Sequence, residues 1–407
     1  MMIRQLTMIV LPFALLSCSN GTNDSFDTDN DTSAGSNAGT ETNADTDAGS
    51  DTNEDSETGT GSGTESDTGT DTGSHTDTDT GTGTETGFDT DTDTDTDTDT
   101  DTDTDTEGAN TSDKIRVIVS TDIGGSDNDD YQSMVHYLVY ADKFDTEGII
   151  SSPPYAGRMT HILETIDQYE HDFDNLSAHS DFPTPQSLRD VTKQGAIDAA
   201  PPEGYSSPTD GSNWIVERAH VADSRPLWII VWGSITDVAQ AVHDDPSIKD
   251  KIRVYSIGSW NTDQDHHSRD YLYNNHSDMW WIENDSTFFG MFIGGDQGGD
   301  LGNVAFVSEH VLSHGALGDL FYAKKADLKM GDTPSVLYLL NGDLDDPTTP
   351  SWGGMFHLEN DHNPPNWRDV QDPQYQDDGH NGARTVNMHR EAYLRDWQTR
   401  MDWAGGI

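Results

Sequence analysis

The chain of 407 residues carries 75 acidic against 21 basic side chains, a formal charge of −54. The excess is uneven: residues 19–112 hold 27 acidic groups and no Lys or Arg, whereas residues 113–407 hold 48 acidic and 20 basic groups. The resulting −28 on the second stretch argues against a nucleic-acid polymer as partner and suits divalent cations and neutral or cationic ligands.

At the N-terminus Arg4 precedes an apolar run, Leu6 to Leu16, that ends in Leu15-Leu16-Ser17-Cys18. The run is too short to span a bilayer comfortably, so a cleaved signal is expected. Its end resembles a bacterial lipobox, with Leu16 where Ala or Ser is usual, which implies that Cys18 is lipidated. Cys18 is the single cysteine, so no intramolecular disulfide forms, and lipidation requires only this one thiol. An ordinary signal peptide with an incidental cysteine is the alternative. Ser19 in place of Asp after the cysteine resembles lipoproteins sorted to the outer membrane of the cell envelope.

Residues 19–112 cannot bury enough apolar surface to offset the entropy of ordering, and are expected to be a disordered acidic Asp/Thr-rich tether. An Asp-Thr dipeptide repeat fills residues 89–106. Its period of two suits a strand, but one face would be all carboxylate and no apolar face remains. The 94 residues span roughly 50–60 Å as a flexible chain, more with self-repulsion. A loose calcium sponge or a glycan-bearing stalk is the other reading.

Residues 113–407 are long enough for one domain with its own core. Ile115 to Ser120 reads as a strand, Tyr131 to Tyr140 as an amphipathic helix, Phe144 to Ser151 as a strand and Arg158 to Tyr169 as a helix. Further on, Pro226 to Trp232 reads as a buried strand, Thr236 to Val242 as a helix and Arg253 to Ile257 as a strand. The rhythm predicts an α/β fold with a mostly parallel sheet flanked by helices, and places ligands just after Ser120, Trp232 and Ile257.

The first of these points is the richest. The stretch Asp122-Ile123-Gly124-Gly125-Ser126-Asp127-Asn128-Asp129-Asp130 leaves a strand, turns on two glycines and enters a helix. Four crowded carboxylates repel one another unless a cation neutralises them, and oxygen-only ligands select calcium or magnesium, with flexible loop carboxylates favouring calcium. Acidic capping of a helix N-terminus accounts for one or two of the aspartates but not for Asp122 before the turn.

This arrangement, a strand ending in Thr-Asp, a glycine turn and Asp-Asp opening a helix, resembles the calcium-dependent nucleoside hydrolases. It resembles more closely the nucleoside hydrolase-like domain of the cellulose-binding Sde182-type group, through STDIGG and DDYQS (120–133), VWGSITDVAQAV (231–242) and WWIENDSTFFGMF (280–292). GDTPSVLYLLNG (331–342), PSWGGMF (350–356) and HREAYLRDWQTRMDW (389–403) extend the likeness across the domain. The resemblance implies one calcium ion held by Asp122, Asp130, Asp332 and the carbonyl of Trp232, with Asp122 also the general base towards the metal-bound water. It implies that Asp129, Glu283 and Asn284 bind the sugar hydroxyls of a nucleoside or small sugar ligand.

The implied reaction is hydrolysis of an N-glycosidic bond through an oxocarbenium-like state, which carboxylates stabilise electrostatically. A sugar-binding lipoprotein that keeps the site without turnover, or a surface protein that calcium merely stabilises, are the competing readings. Three departures from the nucleoside hydrolases bear on the choice. Ser126 lengthens the turn and Asn128 stands where Pro is usual. Gly331 stands where a leaving-group histidine is expected, with His266 or His267 as a substitute acid or as plain solvated residues. Trp260, Trp280, Trp281 and Trp352 are expected in loops near strand ends, where they could stack on a ligand, with at least one of the WWIEND pair in the core. Asp343, Asp345 and Asp346 read as turn chemistry, and Asp377, Asp378 and His380 as a solvated loop.

Overall fold

The computed structural model describes residues 113–125, 127–154, 157–359 and 366–407. The signal segment, Cys18, the acidic tether and Ser126 lie outside the described residues.

Eight strands form one sheet: β1 (Ile115–Thr121), β2 (Phe144–Ser151), β3 (Thr192–Gln194), β4 (Leu227–Val231), β5 (Ile252–Ile257), β6 (Trp280–Asn284), β7 (Phe356–Leu358) and β8 (Asn366–Asp369). They run in the order β3-β2-β1-β4-β5-β6-β8-β7. Every pairing is parallel except β7 with β8. The α/β, mostly parallel fold is therefore as the sequence predicts.

Period-two alternation divides the core between the two faces of the sheet. Val117, Val119, Trp228 and Ile230 join one buried cluster, and Ile118, Leu227, Ile229 and Val231 the other. Because both faces are covered, β4 reads Leu-Trp-Ile-Ile-Val with no polar residue, as fully buried parallel strands do. The helices Asp129–Val139, Met159–Ser177, Thr333–Asn341 and Arg390–Gly405 contribute to the first cluster. Asp210–Ala219, Thr236–Asp244 and His266–Asn275 contribute to the second.

Strand order reverses at β1 and β4, since β2 and β3 extend from one side and β5 and β6 from the other. Such a switch point leaves a crevice beyond the carboxyl ends of the strands. Register fixes what lies in it. Ser120 pairs with Val231 and Val231 with Ser256, so the chain leaves the sheet side by side at Asp122, Trp232 and Ile257.

Candidate active site

Beyond these three strand ends lies a cleft of about 430 Å³. Its floor is acidic, with Asp122, Asp129, Asp130 and Asp332 all buried. The structure thus brings together residues that the sequence separates by some two hundred positions.

Local hydrogen bonds explain how the strand end turns. The carbonyl of Asp122 accepts from Gly125 N at 2.8 Å. Thr121 Oγ1 donates to Asp130 Oδ1 at 2.5 Å and accepts from Ile123 N at 3.1 Å, so the strand's last residue orients a carboxylate nine positions on. Asn128 at the N-cap makes no side-chain cap bond, and Asp129 and Asp130 fill the first helical turn, where the helix dipole favours negative charge.

Asp122 sits where side chains are missing. A Cβ on Gly157 would meet its carbonyl oxygen at 2.6 Å, one on Gly233 its Cβ at 2.9 Å, and one on Gly125 its Oδ2 at 3.2 Å. Neighbouring backbone can close on this aspartate only because all three positions are glycine.

Burial pushes the Asp122 carboxyl up to about 7, opposed by its hydrogen bond with Asp130 and reinforced by Asp129 and Asp127. Burial likewise raises Asp130 and Asp332 well above the carboxylate range, reinforced at Asp130 by the charges of Asp122, Asp332 and Asp129 and at Asp332 by those of Asp129 and Asp122. Asp129 is raised by burial against the pull of Lys329. Asp332 Oδ2 is buried with no hydrogen-bond partner. Buried carboxylates that repel one another, one with an unsatisfied oxygen, fit a hard divalent cation.

Trp232 connects the halves of the cleft. Its carbonyl accepts from Asn261 Nδ2 at 2.7 Å, and its Nε1 donates to Ser335 Oγ at 2.8 Å. That hydroxyl donates in turn to the Asp332 carbonyl at 2.6 Å. Asp127, left without a role by sequence reasoning, pairs with Lys329 Nζ at 2.5 Å, and Asp129 Oδ2 lies 3.3 Å from the same nitrogen. Burial would raise the Asp127 carboxyl, but the Lys329 ammonium outweighs it and holds the group below its ordinary value.

Glu283 and Asn284 are not among the cleft-lining residues. Residues of β6 alternate between faces, and Glu283 turns to the face covered by the helix His266–Asn275, where Arg269 Nε and Nη2 each donate to it at 2.9 Å. Arg368 Nη1 pairs with the same carboxylate. Asn284 Nδ2 donates to Tyr255 Oη at 3.0 Å and its Oδ1 accepts from Phe288 N at 2.9 Å, so it braces the segment that carries the aromatic wall.

That wall is Phe288, Phe289 and Phe292, and Trp260 also lines the cleft. Trp280 and Trp281 are not in loops. They open β6, and Trp281 is core, donating to Ser256 Oγ. Trp352 packs partly buried against the core. His266 and His267 begin a helix away from the cleft lining. Gly331 does line it, and a Cβ there would meet Asp129 Oδ2 at 2.8 Å. Asp343 accepts from the backbone of Asp345 and Asp346, which is turn chemistry. His380 is stacked on Phe289 at 3.6 Å rather than merely solvated.

Among the described residues, the group of three whose ligand atoms all lie within 4.8 Å is Asp300, Glu309 and His310, but Asp300 is already bidentate to Arg395. No three of the cleft aspartates meet that spacing.

Sequence reasoning missed Lys329, Asn261, the aromatic wall and the glycine cradle. Phe288 and Phe289 lie inside WWIENDSTFFGMF and Gly233 inside VWGS, so a signal was present for these. Lys329 had none, because a lysine before GDTPS looks like any other surface cation.

The family described as cellulose-binding Sde182, nucleoside hydrolase-like domain, matches residues 116–356, a span that holds every aspartate of the cleft. The chain belongs to this family. Among solved structures, the Sde182-type domain is similar to a nucleoside hydrolase-related hypothetical protein from Saccharophagus degradans that is associated with carbohydrate metabolism. The identity is 26%, the TM-score 0.56, and 72% of each chain is covered. The inosine-uridine preferring nucleoside hydrolase from Bacillus anthracis is 14% identical over 72% of this chain and 100% of that one, with a TM-score of 0.44. Type III effector protein XopQ, solved with adenosine diphosphate ribose, is 10% identical over 72% and 95%, with a TM-score of 0.43. No curated protein matches. The Sde182-type domain thus has a nucleoside hydrolase-like fold, which is compatible with a hydrolase or a carbohydrate-binding role.

Proposed function

We propose that the domain is a calcium-dependent hydrolase of N-glycosidic bonds in nucleosides or related ribosides. The buried set Asp122, Asp129, Asp130 and Asp332, with its unsatisfied Asp332 Oδ2, is the observation that supports it. Asp122, Asp130, Asp332 and the Trp232 carbonyl would hold the ion. When bound, calcium orients a water and the sugar hydroxyls and makes that water easier to deprotonate.

The chain's own residues then divide the work. Asp122, fixed by the glycine cradle, takes the proton from the attacking water at its carboxylate. The water oxygen bonds to the anomeric carbon as the carbon–nitrogen bond breaks, and the electron pair leaves on the base. Asp129 accepts from a sugar hydroxyl, and the carboxylates of the floor stabilise positive charge that develops on the ring. Phe288, Phe289 and Trp260 cover the site with apolar surface, which strengthens those charges by excluding water. The proposal extends to location: a lipid on Cys18 and the acidic tether hold the domain at the cell envelope.

A second reading, a sugar-binding domain without turnover, is favoured by Gly331, which puts no leaving-group acid at that edge of the cleft. Incubating the protein with a nucleoside panel, with calcium and with EDTA, separates the two. Calcium-dependent release of free base and reducing sugar, lost in Asp122→Asn, supports the hydrolase. Calcium-dependent sugar binding with no release from any nucleoside sinks it.

A further inference from the structure

The cleft carries one ammonium group among five carboxylates, and that group is unusually well held. Lys329 belongs to the loop before the helix Thr333–Asn341, and this loop is stapled to the first helix by Gln132. Gln132 Nε2 donates to the carbonyls of Lys325 and Asp327, at 3.1 and 2.8 Å. Its Oε1 accepts from the backbone of Lys329 and Met330, at 2.9 and 3.0 Å. Asn128 Nδ2 adds a bond to the Lys324 carbonyl at 3.0 Å. The loop then turns at Met330, whose φ of 49° is a conformation that L side chains rarely adopt.

The effect is to deliver Lys329 Nζ between two carboxylates. It lies 2.5 Å from Asp127 Oδ2 and 3.3 Å from Asp129 Oδ2. Gly331 completes the fit, because a Cβ there would meet Asp129 Oδ2 at 2.8 Å. The acidic cleft is thereby split. Asp127 and Asp129 pair with the Lys329 ammonium, whereas Asp122, Asp130 and Asp332 make no ion pair with it.

We propose that Lys329 is the fixed cation of the sugar-binding half: it positions Asp129 to accept from a sugar hydroxyl and denies the Asp127–Asp129 pair to a second divalent ion. The positioning role rests on the hydrolase reading above, whereas the exclusion of a second ion does not. Geometry decides the assignment. A long flexible lysine would ordinarily gain little from a surface ion pair, but here a four-bond staple fixes its backbone and two carboxylates receive its head.

Calorimetric calcium titration of the full chain tests the exclusion. One ion per chain is expected for the wild type and for Lys329→Arg, and a second, weaker ion for Lys329→Met. Lys329→Gln replaces the methionine variant if circular dichroism shows that the latter is unfolded. An unchanged stoichiometry in both neutral variants overturns the inference. Nucleoside kinetics test the positioning. Loss of a charged hydrogen-bond acceptor's alignment should raise KM by about tenfold or more, with kcat little changed and Lys329→Arg partly restoring KM. A fall in kcat at constant KM overturns the positioning role. A wild type that binds one calcium but releases no base from any nucleoside refutes the hydrolase reading and leaves the titration to judge Lys329.

Discussion

Replacing Glu283 by glutamine removes the one negative charge that Arg269 and Arg368 share. Glu283 is 1% exposed, and its two oxygens accept both forks of Arg269 while Arg368 closes on the same carboxylate. Glutamine would keep the volume but present a donor to two donors, leaving guanidinium groups of the helix His266–Asn275 and strand β8 underpaired. Breaking a buried ion pair costs about 3–5 kcal/mol. The low end applies, because Arg368 retains Glu359 at 3.1 Å and Arg269 retains Asp270 at 3.3 Å. At about 2–4 °C per kcal/mol for chains somewhat smaller than this domain, about 3 kcal/mol corresponds to about 6–12 °C, and the larger domain should lie at the low end, a fall of about 6 °C in the midpoint of thermal unfolding. Differential scanning calorimetry of the variant reads this directly, and kinetics on any substrate the wild type turns over supply the contrast. If Glu283 instead grips a sugar, the variant would melt with the wild type and show a raised KM. That result would refute the structural assignment.

Other outcomes follow from the same geometry. Gly331→Ala puts a Cβ 2.8 Å from Asp129 Oδ2, so substrate or sugar affinity should fall while the melting temperature stays within a few degrees, measured by titration and calorimetry. Asp237 is fully buried, accepts from Thr209 Oγ1 and Ala196 N, and burial pushes its carboxyl up to about 6 from an ordinary 3.8. Its folded form therefore holds a proton that the unfolded form has released between those values, so this group's stability is present below pH 4 and lost as pH rises through 6. Urea unfolding at pH 4 and pH 8 should show wild type losing about 3 kcal/mol relative to Asp237→Asn across that range. An equal pH slope in both proteins would count against it. Calcium should raise the melting temperature at neutral pH and EDTA reverse the gain. A calcium response that survives Asp130→Asn together with Asp332→Asn would move the ion elsewhere.

The fold was legible in the sequence because its central strands are buried on both faces and its early helices are amphipathic. Phe144 to Ser151 falls where it was expected, and the helix predicted from Arg158 runs on to Ser177. Strands β7 and β8, three and four residues long, are too short to show a period. In the site, Asp122 and Asp130 announced themselves because like charges had been crowded beside a glycine turn. Glu283 could not be placed, since a one-residue difference in β6 decides which face of the sheet a side chain joins. Trp281 is core, as expected of one of the WWIEND pair, but both tryptophans open strand β6 instead of lying in a loop, because aromatic residues at the start of a strand look the same in sequence as those at its end. Lys329 stayed invisible because its importance lies wholly in what reaches it from elsewhere.

Asp127 and Lys329 are 202 residues apart, and the other floor residues are divided in the same way between the first strand's end and the loop after Lys325. A nascent or half-folded chain that has built β1 through β6 still lacks Lys329 and Asp332. On the proposed ligand set such a chain offers Asp122, Asp130 and the Trp232 carbonyl but not Asp332, so full affinity for an ion would come late and report completion of the fold. An ion held by the complete set would then stabilise the native state over the unfinished ones by the difference between their affinities for it.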